Sequence, residues 1–258
     1  MKHSKRSSFS SFLVKGLIYI LALMFLVPVI LTVVKSIQSD QSITLSGYGE
    51  LLLNCFPFYR MFWNSVIYAI CITFGAILIS VPAAFAFRFA KFPCKKILYV
   101  FYLIIMMMPF QVMVLPNYIG LRDMGLLNTR MAIILPLIFS PFGVVVLYQY
   151  MREIDSSMVE AARLETNSTI SIIIHCILPQ IKVCVAAAAL FIFADTWNMV
   201  EQPMLYLDDD KLRTLSTFIQ QADSYHAQVM FPAAVLFMFP VLLCYLMFHE
   251  ELKQGLKL

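Results

Sequence analysis

Asp195, Trp197, Asn198 and Gln202 fall close together at the end of an otherwise apolar stretch. A carboxylate and two amides can donate and accept hydrogen bonds as a hydroxylated solute requires, and an indole offers a flat apolar face beside them. Positions 195, 198 and 202 recur at three and four residues, so a continuous helix would set Asp195, Asn198 and Gln202 in one row. Such groups are costly in lipid, about 2.5 to 3.5 kcal/mol for an Asp near the centre of a membrane helix, so the row calls for an explanation. It has two readings: the lining of a solute pathway, or hydrogen bonding between helices with Trp197 at the membrane interface.

A second stretch, Glu160-Ala161-Ala162-Arg163-Leu164-Glu165-Thr166-Asn167, carries charge beside small residues. Ser157-Met158-Val159-Glu160 has the S-x-x-E form of a capping box and predicts a helix start there. The two alanines leave a flat surface that another protein can approach closely, and Glu160 and Arg163 share a helical face. A second short helix is expected after Asn167, through Ile170 to Ile177, ending before Leu178-Pro179.

Groups for covalent or metal chemistry do not assemble. The six cysteines show no C-x-x-C spacing, the four histidines form no two-His helical motif, and no G-x-x-x-x-G-K-[ST] loop occurs. The chain is therefore expected to hold no metal or cofactor, to neither bind nor hydrolyse ATP, and to be no enzyme.

The elements that must position these residues follow from composition. The 258 residues are 61% hydrophobic and 13% charged, against about 25% charged in a soluble domain, so lipid must solvate most of the surface. An all-α integral membrane protein is the expectation. A helix crosses about 30 Å of hydrocarbon with roughly 20 apolar residues. Six such runs occur, at residues 16–34, 65–87, 97–116, 131–150, 183–200 and 229–248, in one membrane domain covering 1–258. Thirteen of the 19 Lys and Arg fall on one side if the N-terminus is cytoplasmic. Lys35, Arg60, Arg122, Arg130, Lys211 and Arg213 face the other way. The bias of basic residues predicts cytoplasmic N- and C-termini, and the net charge of +4 needs no nucleic acid to explain it. Residues 151–182 then form the one long cytoplasmic loop, between the fourth and fifth spans. Prolines 28, 82, 109, 136, 141, 232 and 240 are expected to kink spans for packing or to serve as hinges. Gln111 is expected to bond a neighbouring helix, and Asp208-Asp209-Asp210 to form a solvated turn.

The loop resembles the E-A-A-x-x-D-G-A motif, followed by I-x-L-P, of the permease subunits of binding-protein-dependent ATP-binding cassette importers, especially the sugar type similar to the maltose transporter. Here Glu160-Ala161-Ala162 is followed by Glu165 where the family has Asp and Thr166 where it has Gly, then by Ile177 and Leu178-Pro179. With that Gly missing, Asn167 is expected to make the permissive turn. The likeness covers nearly the whole chain, through Asn64-Ser65, the run from Ala83 to Phe89, Gly125-Leu126-Leu127-Asn128-Thr129, Trp197-Asn198, Pro203 and Leu212-Arg213-Thr214-Leu215.

This resemblance implies a permease whose loop residues Glu160, Ala161, Ala162, Arg163, Glu165, Thr166 and Asn167 form a coupling helix. That helix would sit in a cleft of a cytoplasmic ATP-binding subunit dimer, with Glu160 paired to a basic group. ATP and Mg would reside on that partner. A second, different permease and an extracellular solute-binding protein would complete an importer in a bacterial inner membrane, with a sugar or oligosaccharide as solute. Two alternatives stand beside it: a secondary transporter or channel needing no ATPase, and a degenerate subunit that transports nothing.

Overall fold

The computed structural model describes residues 3–39, 42–221 and 227–255. The basic residues Lys2 and Lys257 lie outside them. The described chain is helical apart from a ladder of two residues a side, β1 (Gln38–Ser39) antiparallel to β2 (Ser42–Ile43). It divides into two compact units. One takes described residues from 1–56 and 221–238, the other from 57–220 and 239–258.

The first unit holds α1 (His3–Ser36), α2 (Ser46–Asn54) and the start of α13 (Ala227–Gly255). Apolar side chains of α1 such as Tyr19, Phe25 and Ile30 are more than half exposed, as a helix solvated by lipid requires. α2 lies close against α13. A Cβ on Gly47 would clash with the Gln228 carbonyl oxygen, so only glycine fits there.

The second unit is built on α3 (Phe56–Phe89), 34 residues long and so about 50 Å end to end. Around it run α4 (Lys95–Met107), α5 (Phe110–Asp123), α6 (Met131–Ile138), α7 (Pro141–Met151), α10 (Leu178–Asn198) and the short α12 (Leu215–Gln220). Two apolar clusters share α3. Tyr68, Ile72 and Ala76 pack with Leu121, Ile133 and Ile192, and Val81, Ala84 and Phe85 pack with Leu147, Ile172 and Ile181.

Five helical runs are long and apolar enough to span a bilayer: Lys15–Ser36, Phe56–Phe89, Met131–Met151, Thr169–Asn198 and Gln228–His249. The third expected span, 97–116, is broken. α4 and α5 meet at 104°, because Met108 is extended before Pro109, where proline's ring disfavours helix in the preceding residue. Counted as one span, the bent pair makes six. The fourth span has a milder break at Phe139-Ser140, with Pro141 in the first turn of α7, where its missing N–H costs nothing. The fifth begins earlier than expected. α9 (Thr169–Ile172) passes through a π-turn (Ile173–Ile177) directly into α10, so Leu178-Pro179 does not end a helix; Pro179 sits in the first turn of the next one.

α3 and α7 touch through small residues. A Cβ on Gly143 would clash with the Ser80 hydroxyl oxygen and stand 3.0 Å from the Ser80 Cβ, and that buried hydroxyl has no hydrogen-bond partner. Gly143→Ala is therefore expected to cost about 1 to 3 kcal/mol through overpacking, read as a lower Tm in detergent. Ser80→Gly in the same chain should restore most of the loss, since it removes both opposing atoms and no hydrogen bond.

Candidate functional site

At one end of α3, α8 (Ser156–Glu165) is fixed by two devices. Its cap is Asp155, whose carboxylate accepts from the Ser157 N–H at 3.1 Å, and not the expected Ser157 capping box. Both residue types cap well; Asp155 is extended, as a cap must be, while Ser157 already lies inside the helix. The Ser157 backbone N–H holds the Asp155 carboxyl below the usual carboxylate range. A lowered folded pKa contributes stability that is complete above the unfolded value and is lost as pH falls through the folded one. Asp155→Ala should therefore speed hydrogen exchange at residues 157–160 at pH 7, and the difference from wild type should vanish in acid.

The second device is Arg88, in the last turn of α3. Its Nε donates to the Met151 carbonyl at 3.1 Å, and its Nη2 to the Ile154 carbonyl at 2.9 Å and the Ser156 hydroxyl at 3.4 Å. Beneath α8, Val159 is buried against the cluster of Phe85, Met151, Ile172 and Ile177.

The opposite face is bare. Glu160, Ala161, Arg163, Glu165 and Asn167 are exposed, Ala162 and Thr166 are half-buried, and Leu164 is 90% exposed. Among the described residues no side-chain hydrogen bond or ion pair engages Glu160 or Arg163. Asn167 does not make the expected left-handed turn: the described non-glycine residues with positive φ are Cys94 and Asn128. Instead Thr166 is extended, at φ −147° and ψ 138°, and its hydroxyl accepts from the Ser168 N–H at 3.2 Å. Ser168 in turn caps α9. Extended backbone needs no glycine, so Thr replaces Gly without strain.

At the other end of α3, Asn64 donates to the Lys211 and Arg213 carbonyls at 2.8 and 3.1 Å, and Tyr68 to the Leu212 carbonyl at 2.9 Å. The Ser65 hydroxyl accepts from Leu215 N–H at 2.8 Å. The acidic triplet in this segment is more than a solvated turn. Asp208 accepts from the Asn128 amide at 2.8 Å, Asp209 caps a short 3-10 turn, and Asp210 pairs with Arg213 at 2.6 Å. Gln111, expected to bond a neighbouring helix, is exposed and makes no hydrogen bond among the described residues.

A cavity of about 500 Å³ opens between α3, α4, α5, α6, α7, α10 and α11 (Glu201–Tyr206). Of the four candidate pathway residues it takes two. Asp195 and Gln202 line it. Trp197 is fully buried in aromatic packing, its ring centroid 6.0 Å from those of Phe62 and Phe193. Asn198 is exposed and donates back to the Ala194 carbonyl at 2.7 Å. The row fails because the helix does not continue: α10 ends at Asn198, Met199 is extended, and α11 starts a new axis. Asn117, Ser140, Thr196 and Tyr206 supply further polar wall. Asn117 and Ser140 could have been suspected as polar residues in apolar runs, but only folding brings them to Asp195. Among the described residues no group of three His, Cys, Asp or Glu side chains could hold a metal ion.

Residues 75–257 match the model of the family described as binding-protein-dependent transport system inner membrane component. The chain belongs to this family. The matched stretch includes α8, Asp195 and the last span, and it makes the chain a membrane component of a transport system and not an enzyme.

Similar proteins include the sn-glycerol-3-phosphate transport system permease protein UgpE of Brucella abortus strain 2308, 31% identical over 156 residues, 60% of this chain and 55% of that one. The UgpE protein of Rhizobium meliloti strain 1021 is 30% identical over 179 residues, 69% of this chain and 63% of that one. The match thus spans little more than half to under two thirds of these relatives. A bacterial ABC transporter involved in the import of the acidic polysaccharide alginate contains a chain of the same fold, with a TM-score of 0.84 and 20% identity over 97% of this chain and 98% of that one. The MetNI methionine ABC transporter in an inward-facing form gives 0.60 and 17% identity, over 76% of this family member and 94% of that chain.

Proposed function

We propose that this chain is one permease subunit of an ATP-binding cassette importer, acting as a single transmembrane domain in a bacterial inner membrane with both termini cytoplasmic. Its partners are an ATP-binding subunit dimer, which holds ATP and Mg, a second and different permease, and an extracellular solute-binding protein. The observation that carries this reading is α8: a helix tied to the end of α3 by Arg88 that turns a bare face of Glu160, Ala161, Arg163 and Leu164 outward. A helix buried on one side and bare on the other is suited to dock into a cleft of another protein. With Ala162, Glu165, Thr166 and Asn167 it forms the coupling element, and movement of its partner is passed to α3.

The solute path runs along the cavity beside Asp195 and Gln202, and Trp197 and Asn198 serve it by shaping the end of α10. A hydroxyl-rich solute, a sugar or oligosaccharide, suits the mixture of amides, hydroxyls and apolar wall. The names of the similar proteins support the same chemistry, since glycerol phosphate and alginate both carry hydroxyl groups. Affinity purification of the tagged chain from its native host tests the proposal. An ATPase chain and a second permease should be recovered with it; recovery of this chain alone would favour a secondary transporter.

A further inference from the structure

The cavity wall contains one carboxylate, Asp195, and no Lys, Arg or His. The cation Arg130 has other partners: its guanidinium donates to the Asn64 side chain at 3.4 Å, and it is not a wall residue. Asp195 is exposed and takes part in no hydrogen bond or ion pair among the described residues, so nothing within this unit neutralises it. Around it the wall is Ile72, Ile133, Leu137, Phe142, Phe191 and Ile192, which cannot solvate charge. Tyr206 lines the same space, its hydroxyl buried beside the Asn117 side chain.

From this arrangement we infer that Asp195 makes the cavity a filter against anionic solutes, passing hydroxylated solutes that carry no negative charge. The inference rests on the proposed pathway and sharpens its substrate class. It also separates this chain from what the names of the similar proteins would suggest, because sn-glycerol 3-phosphate and an acidic polysaccharide are both anions. A cavity of about 500 Å³ is about 10 Å across if compact. That is comparable to the screening length at physiological salt, so any group on the wall senses the field of Asp195. Low-dielectric walls concentrate that field, raising the local concentration of cations and lowering that of anions. A hydroxylated solute meets only the short-range demands of the amides and hydroxyls, which Asn117, Gln202 and Thr196 can answer.

A thiol placed on the wall reads this field whatever the solute is. The tagged complex carrying Gln202→Cys is treated in parallel with a cationic and an anionic methanethiosulfonate reagent, and modification of that peptide is followed by mass spectrometry, which leaves the native cysteines in place. The ratio of the two rates, normalised to that of N-acetylcysteine, cancels any change in the thiol's own acidity. A cationic preference of at least about tenfold is expected, falling to within about twofold of the free thiol when Asp195→Asn is added. Asn117→Cys gives the same reading from another helix if Gln202→Cys does not accumulate. Equal rates, an anionic preference, or a preference that survives Asp195→Asn would overturn the filter while leaving the pathway intact. Failure of both reagents to reach either thiol would instead remove the water-filled pathway, and the filter with it.

Discussion

Leu164→Asp is expected to reduce recovery of the ATPase subunit with the tagged chain at least tenfold, without unfolding the chain. Leu164 is 90% exposed on a helix whose other face is anchored, so in the isolated subunit its side chain contacts almost nothing. Burying a leucine side chain in a partner's cleft gives about 1.5 to 3 kcal/mol, and each 1.4 kcal/mol is worth about tenfold in affinity. An aspartate there forfeits that gain and adds an unpaired charge to be desolvated. Glu160→Ala acts on the same face through a charge-assisted hydrogen bond, worth about 1.5 to 3 kcal/mol when its partner is left buried. Exposed substitutions away from caps and packing change stability by about 0.5 kcal/mol or less, so both variants should keep the wild-type Tm. Unchanged recovery in both would mean that α8 is a solvated helix and that the docking proposal fails.

How far these features were legible in the sequence depends on whether they are local. The apolar runs announce spans because bilayer thickness fixes their length, and five of the six fall in helical runs long enough to cross a bilayer. The third fails at Pro109, a residue visible in the sequence. Proline is absorbed at one place in this chain, as Pro82 is within α3, and turns the chain by 104° at another, Met108-Pro109. The difference is set by what packs around the freed carbonyls. The same limit governs α10. Pro179 looks like a stop, yet the π-turn before it accommodates the irregular hydrogen bonding, a known use of such turns inside helices. Around α8, the shared face of Glu160 and Arg163 followed from their spacing, while the Arg88 clamp joins positions more than 60 residues apart. No local pattern marks such a contact. The cavity shows the opposite error: spacing predicted a row that one extended residue, Met199, breaks, and the other polar groups of the wall arrive from α5, from Ser140 at the start of α7 and from α11.

Arg88→Ala tests whether that clamp carries motion between the loop and the spans, and its effect should be the largest of any single change outside the core. The guanidinium serves the Met151 and Ile154 carbonyls together; the first, at the end of α7, also accepts from the Ile154 N–H at 3.3 Å. Met151 and Ile154 are themselves buried, so water does not readily replace the donor. Hydrogen bonds to a charged group contribute about 1.5 to 3 kcal/mol each, and an abandoned acceptor adds its own desolvation cost. Loss of two such bonds should raise local opening of residues 152–165 by at least about a hundredfold, read by hydrogen exchange in the purified complex. The fork geometry matters as much as the charge. A lysine ammonium is a point donor on a flexible stem and cannot hold both carbonyls in fixed register, so Arg88→Lys should restore only part of the protection. Because α8 would remain helical under its Asp155 cap but lose its tether to α3, Arg88→Ala should retain the ATPase subunit while solute no longer stimulates ATP hydrolysis. Leu164→Asp should do the reverse, losing the subunit while residues 152–165 keep their protection. Were both variants to lose the subunit alike, Arg88 would be holding the shape of the docking face, and α3 would have no part in passing on the stroke.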